Sequence, residues 1–170
     1  MLNWLIPEDT FPELFHAVQM AGLFPDSKTF ADYRPKNDLK RINEAYAHQK
    51  QELKSKGALK KFVETHFNPP QVFGMDDLPM VDSVEEHVQR LWPYLTRTAS
   101  SQDTGGSLLE LQDDYVVPGG RFREVYYWDS YFTMFGLLEN GKKDLCISIL
   151  KNFAFLIDEL GFVPNGNRSY

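Results

Sequence analysis

The residues best suited to chemistry lie close together in segment 118–131, PGGRFREVYYWDSY, which we call the signature segment. Arg121 offers a planar fork of donors and Asp129 offers two acceptor oxygens, so the two can grip adjacent hydroxyl groups. Trp128 and Phe122 supply flat apolar faces on which the C–H side of a sugar ring can rest. The Gly-Gly pair before them allows the backbone to approach a ligand closely. This combination favours a neutral, polyhydroxylated ligand.

Other interpretations of the signature segment remain open. A phosphate cradle is disfavoured, because the segment contains no lysine and the sequence has no GxxxxGK[ST] pattern. Glu124 and Asp129 could form the acid/base pair of a glycosidase, but Glu124 fits a local ion pair with Arg121 or Arg123 equally well. Aromatic residues at helical spacing are also common in a protein core.

The elements that must position these residues are predicted to be helices throughout. A capping box at Thr10 starts one helix, and Asp38 starts another that Gly57 is expected to break or kink. A second capping box at Ser83 starts a helix that carries Trp92. A further helix is predicted to begin near Trp128, within the signature segment, and the last helix begins near Lys142, with Gly161 as its expected C-terminal cap. The fold class predicted is therefore all-α.

A long connection, residues 96–120, leads into the signature segment. Connections longer than about 12–15 residues without structure of their own are usually functional or disordered. We therefore expect this connection to be either functional or disordered.

Composition excludes several classes of function. The chain has 170 residues and a formal net charge of −6, which argues against a nucleic-acid or anionic-membrane partner. No run of about 18 apolar residues could cross a bilayer. The single cysteine, Cys146, excludes an internal disulfide, and no Cys/His cluster has zinc spacing. We therefore expect neither metal nor cofactor. The start of the chain lacks the features of a signal peptide, so we expect a cytoplasmic location, with a trimmed periplasmic form as the alternative.

The signature segment resembles, along its whole length, the first signature of the trehalases of glycoside hydrolase family 37. Three further segments and one dipeptide are similar to that family, and the bacterial branch fits best. They are GLFPDSKTF at 22–30, FNPP at 67–70, Leu91-Trp92, and PNGNRSY at 164–170. The resemblance spans essentially the whole chain, but only about the first third of such an enzyme.

The resemblance implies an (α/α)₆ barrel that hydrolyses α,α-trehalose to two glucose molecules with inversion and without a metal. Carried over by position, it implies substrate contacts at Arg121, Trp128, Asp129 and Asn165, with Phe122 as a wall residue. It also implies one incomplete domain, 1–170. Residues 1–82 would form N-terminal helices and loops, and residues 83–170 would form the first barrel helices and active-site loops. We expect the intact enzyme to be monomeric.

The family's second signature, with its Gln-Trp-Asp and Gly-Trp elements, does not occur here. Inverting hydrolysis requires two carboxyl groups about 6.5–9.5 Å apart, and the family pattern places neither of them within residues 1–170. We therefore assign no catalytic residue and expect this pair beyond Tyr170, so that the chain alone is inactive. A non-catalytic sugar-binding protein and a helical interaction module remain as alternatives.

Overall fold

A computed structural model describes residues 5–71, 81–102 and 105–170. These residues fall into two compact units. The first, which we call the N-terminal unit, comprises 5–71, 105–108 and 169–170. The second, the signature unit, comprises 81–102 and 109–168. Helices dominate both units, as an all-α fold requires, and each of the few strands is two residues long.

The N-terminal unit contains five helices and one antiparallel pair of strands. The elements in chain order are α1 (Pro7–Thr10), α2 (Pro12–Met20), α3 (Lys28–Ala31), β1 (Arg34–Pro35), α4 (Leu39–Gln49), α5 (Lys56–His66) and β2 (Phe67–Asn68). Strand β1 pairs with β2, with Arg34 opposite Asn68. The core is built from apolar residues of the helices, including Phe11, Leu14, Val18, Phe30, Ile42, Phe62 and Phe67.

Two local predictions in this unit are wrong. Thr10 does not cap α2, because the N-cap residue is Phe11 and no side chain bonds there. Gly57 does not break the second helix, since α4 already ends at Gln49 and Gly57 lies in the first turn of α5. The hydroxyl of Ser55 accepts from Ala58 N and starts that new helix. Its first-turn N–H groups lack intrahelical partners, so glycine is tolerated there.

The signature unit contains three long helices and a short strand pair. The elements in chain order are α6 (Val84–Leu95), β3 (Thr96–Arg97), a 3₁₀ turn (Ala99–Ser101), β4 (Tyr115–Val116), α7 (Tyr127–Glu139) and α8 (Lys143–Leu160). Strands β3 and β4 are antiparallel, with Arg97 opposite Tyr115. The connection 96–120 is therefore tied at both ends rather than wholly irregular. Its strand β4 leads directly into the signature segment.

Both helix-end predictions in the signature unit are confirmed. The Ser83 hydroxyl accepts from Glu86 N at 3.3 Å and caps α6. Gly161 ends α8 in the left-handed conformation, with φ of 83°. Among the helices of the described ranges, none combines the length and apolarity needed to cross a bilayer.

Candidate substrate-binding site

A tight hairpin turn presents Arg121. Gly119 N donates to Phe122 O at 3.3 Å, and Phe122 N donates to Gly119 O at 3.1 Å. Gly120, the first central residue, has φ of 59°, whereas no non-glycine residue in the described ranges has positive φ. Positive φ at the first central position alone is the pattern of a type II′ turn, which requires glycine there. The sequence thus places Arg121 at the tip of the turn, where its side chain is exposed.

The guanidinium of Arg121 lies against an aromatic ring. Its central carbon is 5.0 Å from the centroid of the Phe122 ring, within the range of a cation–π contact. The Phe122 ring in turn meets the edge of Tyr126, with centroids 5.4 Å apart. This row of contacts restricts the directions in which Arg121 can point.

A second segment, residues 164–168, lies antiparallel to the signature segment, and we call it the Asn165 loop. Tyr127 N donates to Asn165 O at 2.9 Å, and Asn167 N donates to Val125 O at 3.2 Å. Between these two bonds, Tyr126 pairs with Gly166 as an isolated bridge. Two sequence segments about 40 residues apart are thereby joined, and both carry predicted substrate contacts.

The side chain of Asn167 strengthens this junction. Its Oδ1 accepts from Val125 N at 2.9 Å, and its Nδ2 donates to Leu109 O at 2.8 Å. Leu109 N in turn donates to the backbone oxygen of Asn167 at 2.9 Å. Asn167 is buried, so these bonds satisfy polar groups that water cannot reach. It is a structural residue that holds the loop in place.

Trp128 and Asp129 occupy the first turn of α7, directly after the junction. The Trp128 side chain is 61 % exposed, a high value for so large an apolar residue. Asp129 is half-buried. The N-terminus of a helix carries partial positive charge, and acidic residues are favoured there. The two carboxyl oxygens of Asp129 are thus placed to accept hydrogen bonds.

Trp128 also lines an apolar cleft between α7 and α8. The cleft has a volume of about 430 Å³ and is lined by Tyr127, Trp128, Tyr131, Phe132, Met134, Leu150 and Phe153. The rings of Trp128 and Phe132 meet edge to face, with centroids 6.3 Å apart. The aromatic residues after the signature turn therefore do not all pack into a core.

The signature unit also contains a buried polar cluster that sequence analysis did not predict. Arg168 Nε is 3.0 Å from Glu124 Oε2, and the hydroxyl of Tyr126 donates to Glu124 Oε1. Burial raises the pKa of nearby Tyr115 to about 12, opposed by the positive charge of Arg168 and a hydrogen bond with Asn167. Glu124 is thus paired with a residue 44 positions away, which local spacing could not reveal.

Arg121, Phe122, Trp128, Asp129 and Asn165 all lie in the signature unit, on the turn, the loop and the start of α7. The backbone ladder brings the Asn165 loop against the start of α7. Whether the five side chains meet on one ligand stays a prediction. Within the described ranges, no group of three or more His, Cys, Asp or Glu residues is arranged to hold a metal ion.

Comparison with known protein families matches this chain to a family model. The model of the trehalase family matches residues 22–170, which is most of the chain and includes both the signature segment and the Asn165 loop. The chain therefore belongs to the trehalase family.

Proposed function

We propose that this chain forms part of the substrate-binding site of an enzyme that hydrolyses α,α-trehalose to two glucose molecules with inversion. The observation that carries the proposal is the hydrogen-bonded ladder between residues 125–127 and 165–167. It joins Asn165 to the helix start that bears Trp128 and Asp129. Membership of the trehalase family supports a sugar substrate at this site.

Each side chain has a role that follows from its chemistry. Arg121 donates from its exposed guanidinium to sugar hydroxyls, and Asp129 accepts from them at the helix N-terminus. The amide of Asn165 both donates and accepts. Trp128 and Phe122 contact the apolar faces of the sugar rings. All five side chains suit an uncharged substrate, as expected for a disaccharide without phosphate.

No catalytic acid or base is assigned to this chain. Glu124 is fully buried, and its two oxygens are engaged by Tyr126 and Arg168, so it cannot protonate a glycosidic oxygen. Asp129 has a binding role in the proposal. We therefore expect the 170-residue chain alone to release no glucose from trehalose. The cytoplasmic location and the monomeric state of the intact enzyme stay predictions.

Calorimetry of trehalose binding tests the proposal. We expect the wild-type chain to bind trehalose in the millimolar range and Arg121→Ala to weaken binding at least tenfold. Arg90→Ala is the matched control, because Arg90 is an exposed arginine of the same unit that pairs with Glu86 on α6. Maltose serves as the control sugar. The absence of heat with wild-type protein, or equal losses in both arginine variants, would contradict the proposal.

A glucose-release assay separates hydrolysis from binding alone. The chain is compared with a version extended by its downstream coding sequence. Glucose release by the extended protein only, abolished by Asp129→Asn, is the expected result. Trehalose binding without glucose release by either protein would favour a non-catalytic sugar-binding role instead.

A further inference from the structure

The buried cluster behind the turn has no part in the proposed substrate contacts. Glu124 has 0 % of its surface exposed, and the Arg168 side chain is only 8 % exposed. Taking both charges out of water is costly, and their attraction repays the cost only with good geometry and further hydrogen bonds. Tyr126 supplies one such bond to Glu124. Stability alone does not require a pair of this kind, since apolar residues of similar size often serve as well.

The members of the pair lie next to the proposed substrate contacts. Glu124 lies three positions after Arg121 and two after Phe122. Arg168 lies three positions after Asn165. The ion pair therefore crosses the same junction as the backbone ladder and joins the turn to the loop through their side chains. Tyr126 connects the Arg121 turn to the ion pair, because its ring packs against Phe122 and its hydroxyl donates to Glu124.

Gly166 allows the two segments to come this close. A Cβ atom at this position would lie 3.2 Å from Tyr126 Cε1 and 3.4 Å from Glu124 Cγ. The first distance is shorter than ordinary van der Waals contact and the second is at its lower limit, so an added side chain would require Tyr126 or the loop to shift. The close approach and the ion pair are thus parts of one arrangement.

We propose that Glu124, Arg168 and Tyr126 form a positioning element that fixes the Arg121 turn and the Asn165 loop in the relative arrangement that trehalose binding requires. This inference rests on the proposed function. In this proposal the three residues act indirectly. They hold Arg121, Phe122 and Asn165 in place and do not themselves contact the substrate. Binding groups held in this way need less ordering when the ligand arrives.

The test uses two readouts on the 170-residue chain: the dissociation constant for trehalose and backbone amide hydrogen exchange. For Glu124→Gln, we expect at least a tenfold weaker affinity and at least tenfold faster exchange at Phe122 and Tyr127. Exchange at Ile149, in the buried core of α8, is expected to stay unchanged. A residue that only stabilised the fold would instead accelerate exchange throughout the unit.

Matched controls use a second glutamate–arginine pair of the same unit. Glu86 pairs with Arg90 on the surface of α6, so Glu86→Gln removes a similar charge from an exposed pair. It is expected to change neither readout. Arg168→Lys keeps the charge but not the planar fork, and is expected to retain part of the affinity that Arg168→Gln loses.

A milder variant keeps the test decisive if Glu124→Gln does not fold. Tyr126→Phe leaves the ion pair intact and removes one hydrogen bond to Glu124, with Tyr94→Phe on α6 as its control. We expect a few-fold loss of affinity and faster exchange at Phe122 for Tyr126→Phe only. Wild-type affinity and exchange in this variant would overturn the inference.

The two readouts also separate failure of the inference from failure of the proposed function. If wild-type protein does not bind trehalose, the proposed function fails. Because the inference rests on that function, locally faster exchange in the variants then supports only its structural part, namely that the cluster holds the turn and the loop together, and unchanged exchange overturns that part as well. If wild-type protein binds and the variants of the cluster bind equally well, the inference fails while the proposed function stands.

Discussion

The aromatic residues in the core of the N-terminal unit and those of helix α7 have opposite surroundings. In the N-terminal unit, Phe30 stacks on Phe15 and Phe24 and meets Phe67 edge to face, and it is only 3 % exposed. In the signature unit, α7 leaves all five of its aromatic residues more than half exposed, namely Tyr127, Trp128, Tyr131, Phe132 and Phe135. Similar residue types thus form a core in the N-terminal unit and an exposed surface on α7.

The comparison teaches that aromatic content alone does not identify a binding surface. A row of exposed aromatic side chains loses hydrophobic stabilisation, and such patches usually mark interaction or ligand sites. Here the exposed row includes the proposed substrate contact Trp128. Exposure, rather than composition, therefore separates the residues available to a ligand from those that hold the fold.

The largest effect is expected from truncating the buried aromatic core of the N-terminal unit. Phe30→Ala removes a ring that is packed on all sides, so we expect it to lower the free energy of unfolding by about 3–5 kcal/mol. Phe132→Ala, on the exposed face, should cost less than about 1 kcal/mol. Chemical denaturation of both variants measures the difference. Equal losses of unfolding free energy in the two variants would contradict the difference in burial between Phe30 and Phe132.

A pH effect comes next in size and concerns the buried tyrosine of the signature unit. Burial raises the pKa of Tyr115 from 10.0 to about 12, so the unfolded chain loses this proton first as the pH rises. Stability is therefore lost between pH 10 and 12, by about 3 kcal/mol at roughly 1.4 kcal/mol per pH unit.

Paired variants isolate this contribution from other groups that titrate at high pH. Tyr115→Phe should lose the extra pH dependence, whereas Tyr131→Phe, on the exposed face of α7, should keep it. Urea unfolding at pH 9 and pH 11.5 provides the measurement. If the free energy of unfolding changed by the same amount between these pH values in wild type and Tyr115→Phe, the raised pKa of Tyr115 would be contradicted.

A smaller effect is expected from closing the space at Gly166. The added methyl of Gly166→Ala meets Tyr126 and Glu124, so we expect a loss of about 1–3 kcal/mol from overpacking, together with weaker trehalose binding. Thermal unfolding and calorimetry measure the two effects. An unchanged melting temperature would mean that the loop can move away at no cost.

The smallest effect has the opposite sign and serves as the glycine control. Gly57 lies in the first turn of α5, and no described atom outside its own helix backbone lies within 4 Å of the position that an added methyl group would take. Gly57→Ala should therefore stabilise the protein by about 0.5 kcal/mol, because alanine favours the helix. Thermal unfolding measures this gain. A loss in place of a gain would indicate a contact at this position that the structure does not contain.

Sequence reasoning succeeded where the signal is local. The Ser83 cap, the Gly161 cap and the helix that starts beside Trp128 follow from residues within one or two turns, and all three are confirmed. It failed at Gly57, since glycine is tolerated in a first helical turn. Ser55, the residue that starts α5, carried the correct signal, because serine is a strong N-cap residue.

The remaining features of the site depend on contacts between distant residues. The pairing of Glu124 with Arg168 and the bonds of Asn167 join segments more than 40 positions apart. The sequence analysis considered only the neighbouring residues Arg121 and Arg123 as ion-pair partners of Glu124. The resemblance to trehalases indicated that both segments matter, but only the fold reveals which residues connect them.

The central claim is that Arg121, Trp128 and Asp129 contact trehalose, and NMR titration of the ¹⁵N-labelled chain tests it most directly. Trp92 provides an internal control, because its indole is buried in the core of the same unit. The account predicts that the Trp128 indole N–H and Arg121 Nε–H signals shift with millimolar trehalose while the Trp92 signal does not. Unchanged Trp128 and Arg121 signals at saturating sugar, or equal shifts at Trp92, would contradict it.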